Sequence, residues 1–199
     1  MREEVLLFDL GGVLVETSLF PLLRRLQPQA LEAELYDRWL DSGAVAAFER
    51  GEIGEQAFAE RFVEEWRVDI TPAKFLAAFA AVIRGPFPGA LALLKRLRGR
   101  YTLACLSNCN ATHWPLVEAV GARFDHAFVS HLCGMVKPDP AVFRHVLEAL
   151  GQPAGAVHFF DDSLKNVRAA RAAGMDAHHT VGFEALERTI ADLGLLTPA

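Results

Sequence analysis

Five short apolar runs, at residues 5–8, 101–106, 126–129, 156–160 and 175–180, constrain this chain more than any other feature. Each has the length of a buried strand. Amphipathic, Ala/Leu/Arg-rich stretches at 89–97, 112–120, 140–150 and 164–173 carry helical spacing and alternate with them. Strands alternating with helices build βαβ units, whose right-handed crossovers leave the strands parallel and the sheet covered on both faces. The expected class is α/β, a parallel sheet flanked by helices.

Residues 17–85 break that alternation. They show no strand pattern but three helical ones, at 29–40, 55–66 and 72–83. Phe58, Phe62, Trp66, Phe75 and Phe79 recur at spacings that put them on helix faces, which predicts a packed helical core of their own. The block reads as an insertion above one edge of the sheet. Its outward hinge falls near residues 16–18, and Gly85-Pro86-Phe87-Pro88-Gly89 forms the return. Residues 1–16 and 86–199 are thus expected to form the α/β core, and 17–85 the inserted helical unit.

Composition excludes several classes. With 199 residues, 52% of them hydrophobic, and a net charge of −5, the chain has the makeup of a soluble globular protein. It has no basic stretch, which argues against a nucleic-acid partner. Cys105, Cys109 and Cys133 are odd in number and lack zinc-type spacing, so free thiols in a reducing cytoplasm are expected. The charged start (Arg2, Glu3, Glu4) precedes only a very short apolar run, so neither a signal peptide nor a membrane span is expected. Oligomeric state is not readable.

The ends of the apolar runs hold the chemistry. Val5-Leu6-Leu7-Phe8 stops at a lone carboxylate, Asp9, followed by Gly11-Gly12. Ligands of open α/β sheets bind outside the carboxyl ends of the strands, although an Asp there also serves as a turn former. The second run stops at Ser107-Asn108, which by itself is also a common helix start. Lys137 stands just before a helix opened by prolines, and the fourth run ends in Asp161-Asp162. Paired carboxylates after an apolar strand repel one another unless a cation sits between them, so a hard-metal site is expected. A carboxylate, a hydroxyl, an ammonium group and a metal site are the parts phosphoryl transfer requires, because positioning and charge stabilisation dominate that chemistry.

Through Phe8-Asp9-Leu10-Gly11-Gly12-Val13-Leu14, Leu106-Ser107-Asn108, Lys137-Pro138 and Phe159-Phe160-Asp161-Asp162-Ser163, the chain resembles the haloacid dehalogenase-like hydrolase superfamily over essentially its whole length. The resemblance implies a Rossmann-like sheet with an inserted α-helical cap of the subfamily I type. Glu49-Arg50-Gly51-Glu52-Ile53 further resembles bacterial sugar phosphatases of the α-glucose-1-phosphatase kind. The family pattern implies that Asp9 attacks phosphorus and becomes an aspartyl-phosphate. Ser107 and Asn108 would hold the phosphoryl group and Lys137 would balance its charge. Mg2+ would be bound by Asp9, the Gly11 carbonyl and Asp162, with Asp161 beside it and Asn166 supporting the loop. One position departs from the pattern: Gly11 stands where phosphatases of this kind carry a second Asp, the acid/base. Glu16, Glu52, Arg50 or the substrate itself could substitute.

The leading expectation is therefore a cytoplasmic, Mg2+-dependent phosphatase acting on a small phosphorylated metabolite, plausibly a sugar phosphate. The alternative is a weak or silent phosphate-ligand-binding protein, because Gly11 lacks the acid. A 2-haloacid dehalogenase would leave Asp161-Asp162 without purpose, and phosphonate hydrolysis would need Lys74, the only lysine of the insertion, which has no obvious route to Asp9. His113 reads as a partly exposed helix residue. His178 and His179 point to opposite faces of a strand and are not expected to share a metal. Cys109, near Ser107, has no charged sequence neighbour that would lower its thiol pKa.

Overall fold

A computed structural model describes residues 4–196; Arg2 and Glu3 of the charged start lie outside them. Among the described residues seven strands form: β1 (Val5–Phe8), β2 (Val15–Thr17), β3 (Ile83–Pro86), β4 (Thr102–Ser107), β5 (His126–Val129), β6 (Val157–Asp161) and β7 (Asp176–His179). Five of them make one parallel sheet in the order β5-β4-β1-β6-β7. The expected α/β class and all five predicted strands are present, with ends shifted by a residue or so.

The central strand explains its own sequence. β1 lies between β4 and β6 with helices over both faces of the sheet, so Val5-Leu6-Leu7-Phe8 can be apolar throughout. Its side chains still alternate. Leu6 and Phe8 join Leu103, Cys105 and Phe160 in one core layer, while Val5 and Leu7 join Ala104, Leu106, Val157 and Phe159 in the other. The first layer is closed by α6 (Ala90–Leu97), α7 (Trp114–Gly121) and α11 (Phe183–Asp192). A short α8 (Ser130–Cys133) follows β5, and α9 (Pro140–Leu150) and α10 (Leu164–Ala172) close the second layer. The chain runs from β1 to β4 and β5 on one side, then returns to β6 and β7 on the other. That reversal opens a crevice at the carboxyl end of β1.

Between β1 and β4 lie α1 (Leu19–Leu26), α2 (Glu32–Leu40), α3 (Gly43–Glu49), α4 (Glu55–Trp66) and α5 (Pro72–Ala80). Thr71 caps α5 by accepting from Lys74 N–H, with Pro72 at the first helical position. Phe58, Phe62, Trp66, Phe75 and Phe79 are all buried, as their spacing predicts. Phe58 stacks on Phe48 and Phe75 on Phe62, with ring centroids 4.3 and 4.2 Å apart. The sequence reading of 17–85 is corrected in three places. Two further helices, α1 and α3, form there. The hinges are not plain loops either: β2 and β3 pair antiparallel, Glu16 with Gly85 and Thr17 with Ile83. Neither strand has a length or alternation that would betray it, because each is half-exposed and needs only its partner. Five contacts seat the inserted helices on the sheet: Tyr36 Oη–Ser163 Oγ at 3.1 Å, Lys165 Nζ–Asp37 at 3.2 Å, Thr112 Oγ1–Glu55 at 3.1 Å, His113 Nε2–Phe79 O at 2.8 Å, and Gly51 against the carbonyl of His131. Gly51 has φ +72°, and a Cβ there would lie 2.5 Å from that carbonyl oxygen, so only glycine fits.

Candidate active site

Distant segments converge at the carboxyl end of β1. Asp9 follows the strand directly and is 8% exposed; its main-chain N–H continues the ladder to Phe160 O at 2.9 Å. One carboxylate oxygen, Oδ1, accepts from Leu10 N–H at 2.7 Å and lies 2.9 Å from the Lys137 ammonium. The same ammonium donates to Asp161 Oδ2 at 2.7 Å. Burial alone would push Lys137 towards its neutral form, but Asp161 and Asp9 outweigh it and hold the pKa above the ordinary lysine range.

Each predicted site residue has a definite place. Ser107 is buried at the end of β4, beside the same cavity as Gly11 and Asp162. Asn108 is differently engaged from the expectation. Its Oδ1 accepts from Lys137 N–H at 2.8 Å and its Nδ2 donates to Lys137 O at 3.0 Å. The amide thus braces the lysine loop, and only one of its hydrogens is left for a ligand. Asn166 donates to both oxygens of Asp161, at 3.0 and 3.1 Å, and Ser163 N–H adds a third bond at 2.8 Å. With Lys137, these partners commit the wholly buried Asp161 to the protein. Asp162 remains partly accessible, its carbonyl held by His179 Nε2–H at 2.9 Å. His178 turns elsewhere, stacking on Phe160 and meeting Asp176 at 3.4 Å.

Ligand atoms of Asp9, Asp161 and Asp162 lie within 4.8 Å of one another, and a single ammonium balances them. Burial pushes the Asp9 carboxyl up to about 6 against the pull of Lys137, with Asp161 adding to the rise. Burial, then the charges of Asp9 and Asp161, push Asp162 up to about 7. Three crowded carboxylates with one counter-charge suit a divalent cation of the hard, oxygen-seeking type. Asp9 and Asp162 are the carboxylates free to hold it. Gly12 keeps that place open: its φ is +73°, and a Cβ would come within 2.9 Å of the Asp162 carboxyl carbon and overlap its Oδ2.

One side chain overturns the sequence reading and a second was missed by it. His113 is buried rather than partly exposed, and precedes α7 as its cap. Nε2–H donates to Phe79 O at 2.8 Å, while Nδ1 faces the Asn110 amide nitrogen at 3.3 Å. That pairing fits a neutral imidazole, and burial lowers its pKa. It ties α5 to the loop after β4. The second is Glu49, the last residue of α3, which the sequence reading passed over in favour of Glu16, Arg50 and Glu52. Glu16 and Glu52 are solvent-exposed. Glu49 instead lines both cavities over the site, one of about 220 Å³ beside Gly11, Ser107 and Asp162, the other of about 290 Å³ beside Lys137 and Arg50. Burial pushes its carboxyl up to about 7, against Lys137, with Asp9 adding to the rise and Arg50 opposing it. Among the described residues no hydrogen bond or ion pair engages this carboxyl. Helix α3 was not predicted, so the direction of Glu49 was unreadable; its place in the Glu49-Arg50-Gly51 run was the only signal. Cys109 is buried and its thiol is pushed up to about 12, by burial first and then by Glu49 and Asp9, so it is not a thiolate.

These features agree with the comparisons. A family model described as haloacid dehalogenase-like hydrolase matches residues 3–174. Phosphoserine phosphatase of Thermus thermophilus is 33% identical over 81% of this chain and 68% of its own length. Drimenol cyclase drtB of Aspergillus calidoustus is 30% identical over 85% of this chain. The chain spans about a third to a half of the length of the first curated relatives it matches. Among solved structures, a HAD family enzyme from Bacteroides thetaiotaomicron, in complex with magnesium and inorganic phosphate, superimposes with a TM-score of 0.73. It is 26% identical and covers 89% of this chain and 94% of its own.

Proposed function

Since the chain belongs to the haloacid dehalogenase-like hydrolases, we propose that it is a Mg2+-dependent phosphomonoesterase working through an aspartyl-phosphate on Asp9. The carrying observation is the convergence of Asp9, Asp162 and Lys137, three charges of which only two cancel, beside the buried hydroxyl of Ser107. A neighbour solved with magnesium and phosphate, and a relative named as a phosphatase, support the same chemistry. Residues 17–85 act in this reading as a cap over residues 1–16 and 86–199.

A divalent cation held by Asp9, Asp162 and the Gly11 carbonyl would neutralise charge shared between the nucleophile and the phosphoryl oxygens. The remaining work falls to the chain. Asp9 Oδ attacks phosphorus while Ser107 and Lys137 hold the phosphoryl oxygens; Asp161 and Asn108 keep Lys137 aimed. Glu49 gives its proton to the departing alkoxide, the task that Gly11 cannot perform, and as carboxylate draws a proton from the water that cleaves the acyl-phosphate. A silent phosphate-binding protein would have no need of an unpartnered, partly protonated carboxyl there. Halide displacement by Asp9 needs no cation and would leave Asp162 uncompensated.

Purified protein with magnesium is expected to release inorganic phosphate from a phosphomonoester panel, and Asp9→Asn to abolish release while retaining the thermal melt. Absence of release across the panel, or full turnover by the Asn variant, overturns the reading.

A further inference from the structure

We infer that the cavity beside Gly11 is a leaving-group site for an apolar alkyl or aryl alcohol, so that the substrate is the phosphate monoester of such an alcohol rather than of a sugar. This deepens the phosphomonoesterase reading and rests on it.

Walls of the cavity come from both parts of the chain. Leu10 and Val15 rise from the β1–β2 connection; Leu19, Phe20, Leu40, Phe79, Val82 and Ile83 descend from the inserted helices and β3. The polar side chains that also reach it are mostly spoken for. Tyr36 Oη is bonded to Ser163 at 3.1 Å. Asn110 and His113 satisfy one another, and His113 also bonds Phe79 O. Asn108 braces Lys137. Ser107 and Asp162 stand at the phosphoryl end. Among the described residues, that leaves Thr17, Glu49 and the indole N–H of Trp39 as the side-chain polar groups without a hydrogen bond along the rest of the wall.

A sugar would bring several hydroxyls into this space. Each hydroxyl lost from water without a partner is costly, and so few partners cannot serve four or five. An apolar group faces the opposite balance and gains from every atom buried. Size agrees. An apolar cavity of about 150 Å³ holds benzene, so about 220 Å³ accepts a ring or short chain beside the phosphoryl group.

Methyl, butyl, hexyl and benzyl phosphates and glucose 1-phosphate are to be compared as substrates with magnesium present. kcat/KM is expected to rise about fourfold per added methylene up to hexyl, with benzyl phosphate also well above glucose 1-phosphate. Phe20→Asn should flatten the chain-length slope. A flat series, or glucose 1-phosphate exceeding hexyl phosphate, overturns the inference. Calorimetric binding of methyl-, butyl- and hexylphosphonate separates the two failures. If no ester is hydrolysed but phosphonate affinity climbs with chain length, the phosphatase reading falls and the apolar site stands. Hydrolysis combined with chain-independent affinity has the reverse meaning.

Discussion

Replacing Glu49 by Gln is the sharpest probe of how this site manages with Gly11. The amide keeps the size and the hydrogen-bonding reach of the carboxyl but cannot transfer a proton. Burial pushes the Glu49 pKa up to about 7, far above the ordinary carboxylate range, so the acid form is accessible under assay conditions. General acid catalysis contributes about 10²–10⁴-fold, equivalent to about 3–5 kcal/mol of barrier. Hexyl phosphate, whose alkoxide cannot leave unprotonated, should lose at least about 10²-fold in kcat. Nitrophenyl phosphate, whose phenolate leaves without help, should lose little. The wild-type rate on hexyl phosphate should fall as pH rises through about 7, because the acid form is then titrated away, and the Gln variant should lack that limb. Steady-state phosphate release across pH 5–9 (a range of roughly two units either side of the shifted value) reads all three effects. A second site offers rescue. A Cβ on Gly11 meets only Thr17 Cγ2, at an ordinary 3.6 Å, so Gly11→Asp is sterically admissible and should restore at least about tenfold in the Gln background. Equal losses on both esters would refute proton donation and make Glu49 a packing residue. Hexyl phosphate turnover within about twofold of wild type would do the same.

Two further outcomes test the surroundings. Lys137→Met leaves Asp9 and Asp161 buried without their ammonium, so chemical denaturation should show a loss of about 3–5 kcal/mol. Adding Asp9→Asn should recover part of it, and simple additivity of the two losses would contradict the charge argument. His113 is held neutral with a lowered pKa, so the unfolded chain binds its proton first. Its contribution is intact above about pH 6.5 and declines as pH falls below that value towards the lowered pKa, by about 1.4 kcal/mol per pH unit. His113→Gln should remove that slope from urea-melt stabilities measured between pH 5 and 7 (roughly the histidine range).

Sequence and structure divided the work along a physical line. A strand covered on both faces must be apolar throughout, so β1, β4 and β6 announced themselves, and the polar residues that ended them could be picked out as a site. Asp9, Ser107, Lys137 and Asp162 were legible because each interrupts or follows a pattern that burial demands. β2 and β3 were not, since a short half-exposed ribbon leaves no such trace. Nor could periodicity say that Asn108 would hold a lysine's peptide, that His113 would be buried, or that Asp161 would be consumed by Asn166 and Ser163 while Asp162 stayed accessible.

By itself, the sequence determined the α/β class, the inserted helical block with its aromatic core, and which carboxylates meet at one sheet edge, because strand and helix periods follow from which faces lose water. Only the tertiary structure decided what closes over that edge. Helix α3 sets Glu49 against both cavities over the site, and residues from β2, β3 and the inserted helices contribute to the apolar wall. Both depend on how two separately buried cores dock, and that geometry leaves no period in the chain.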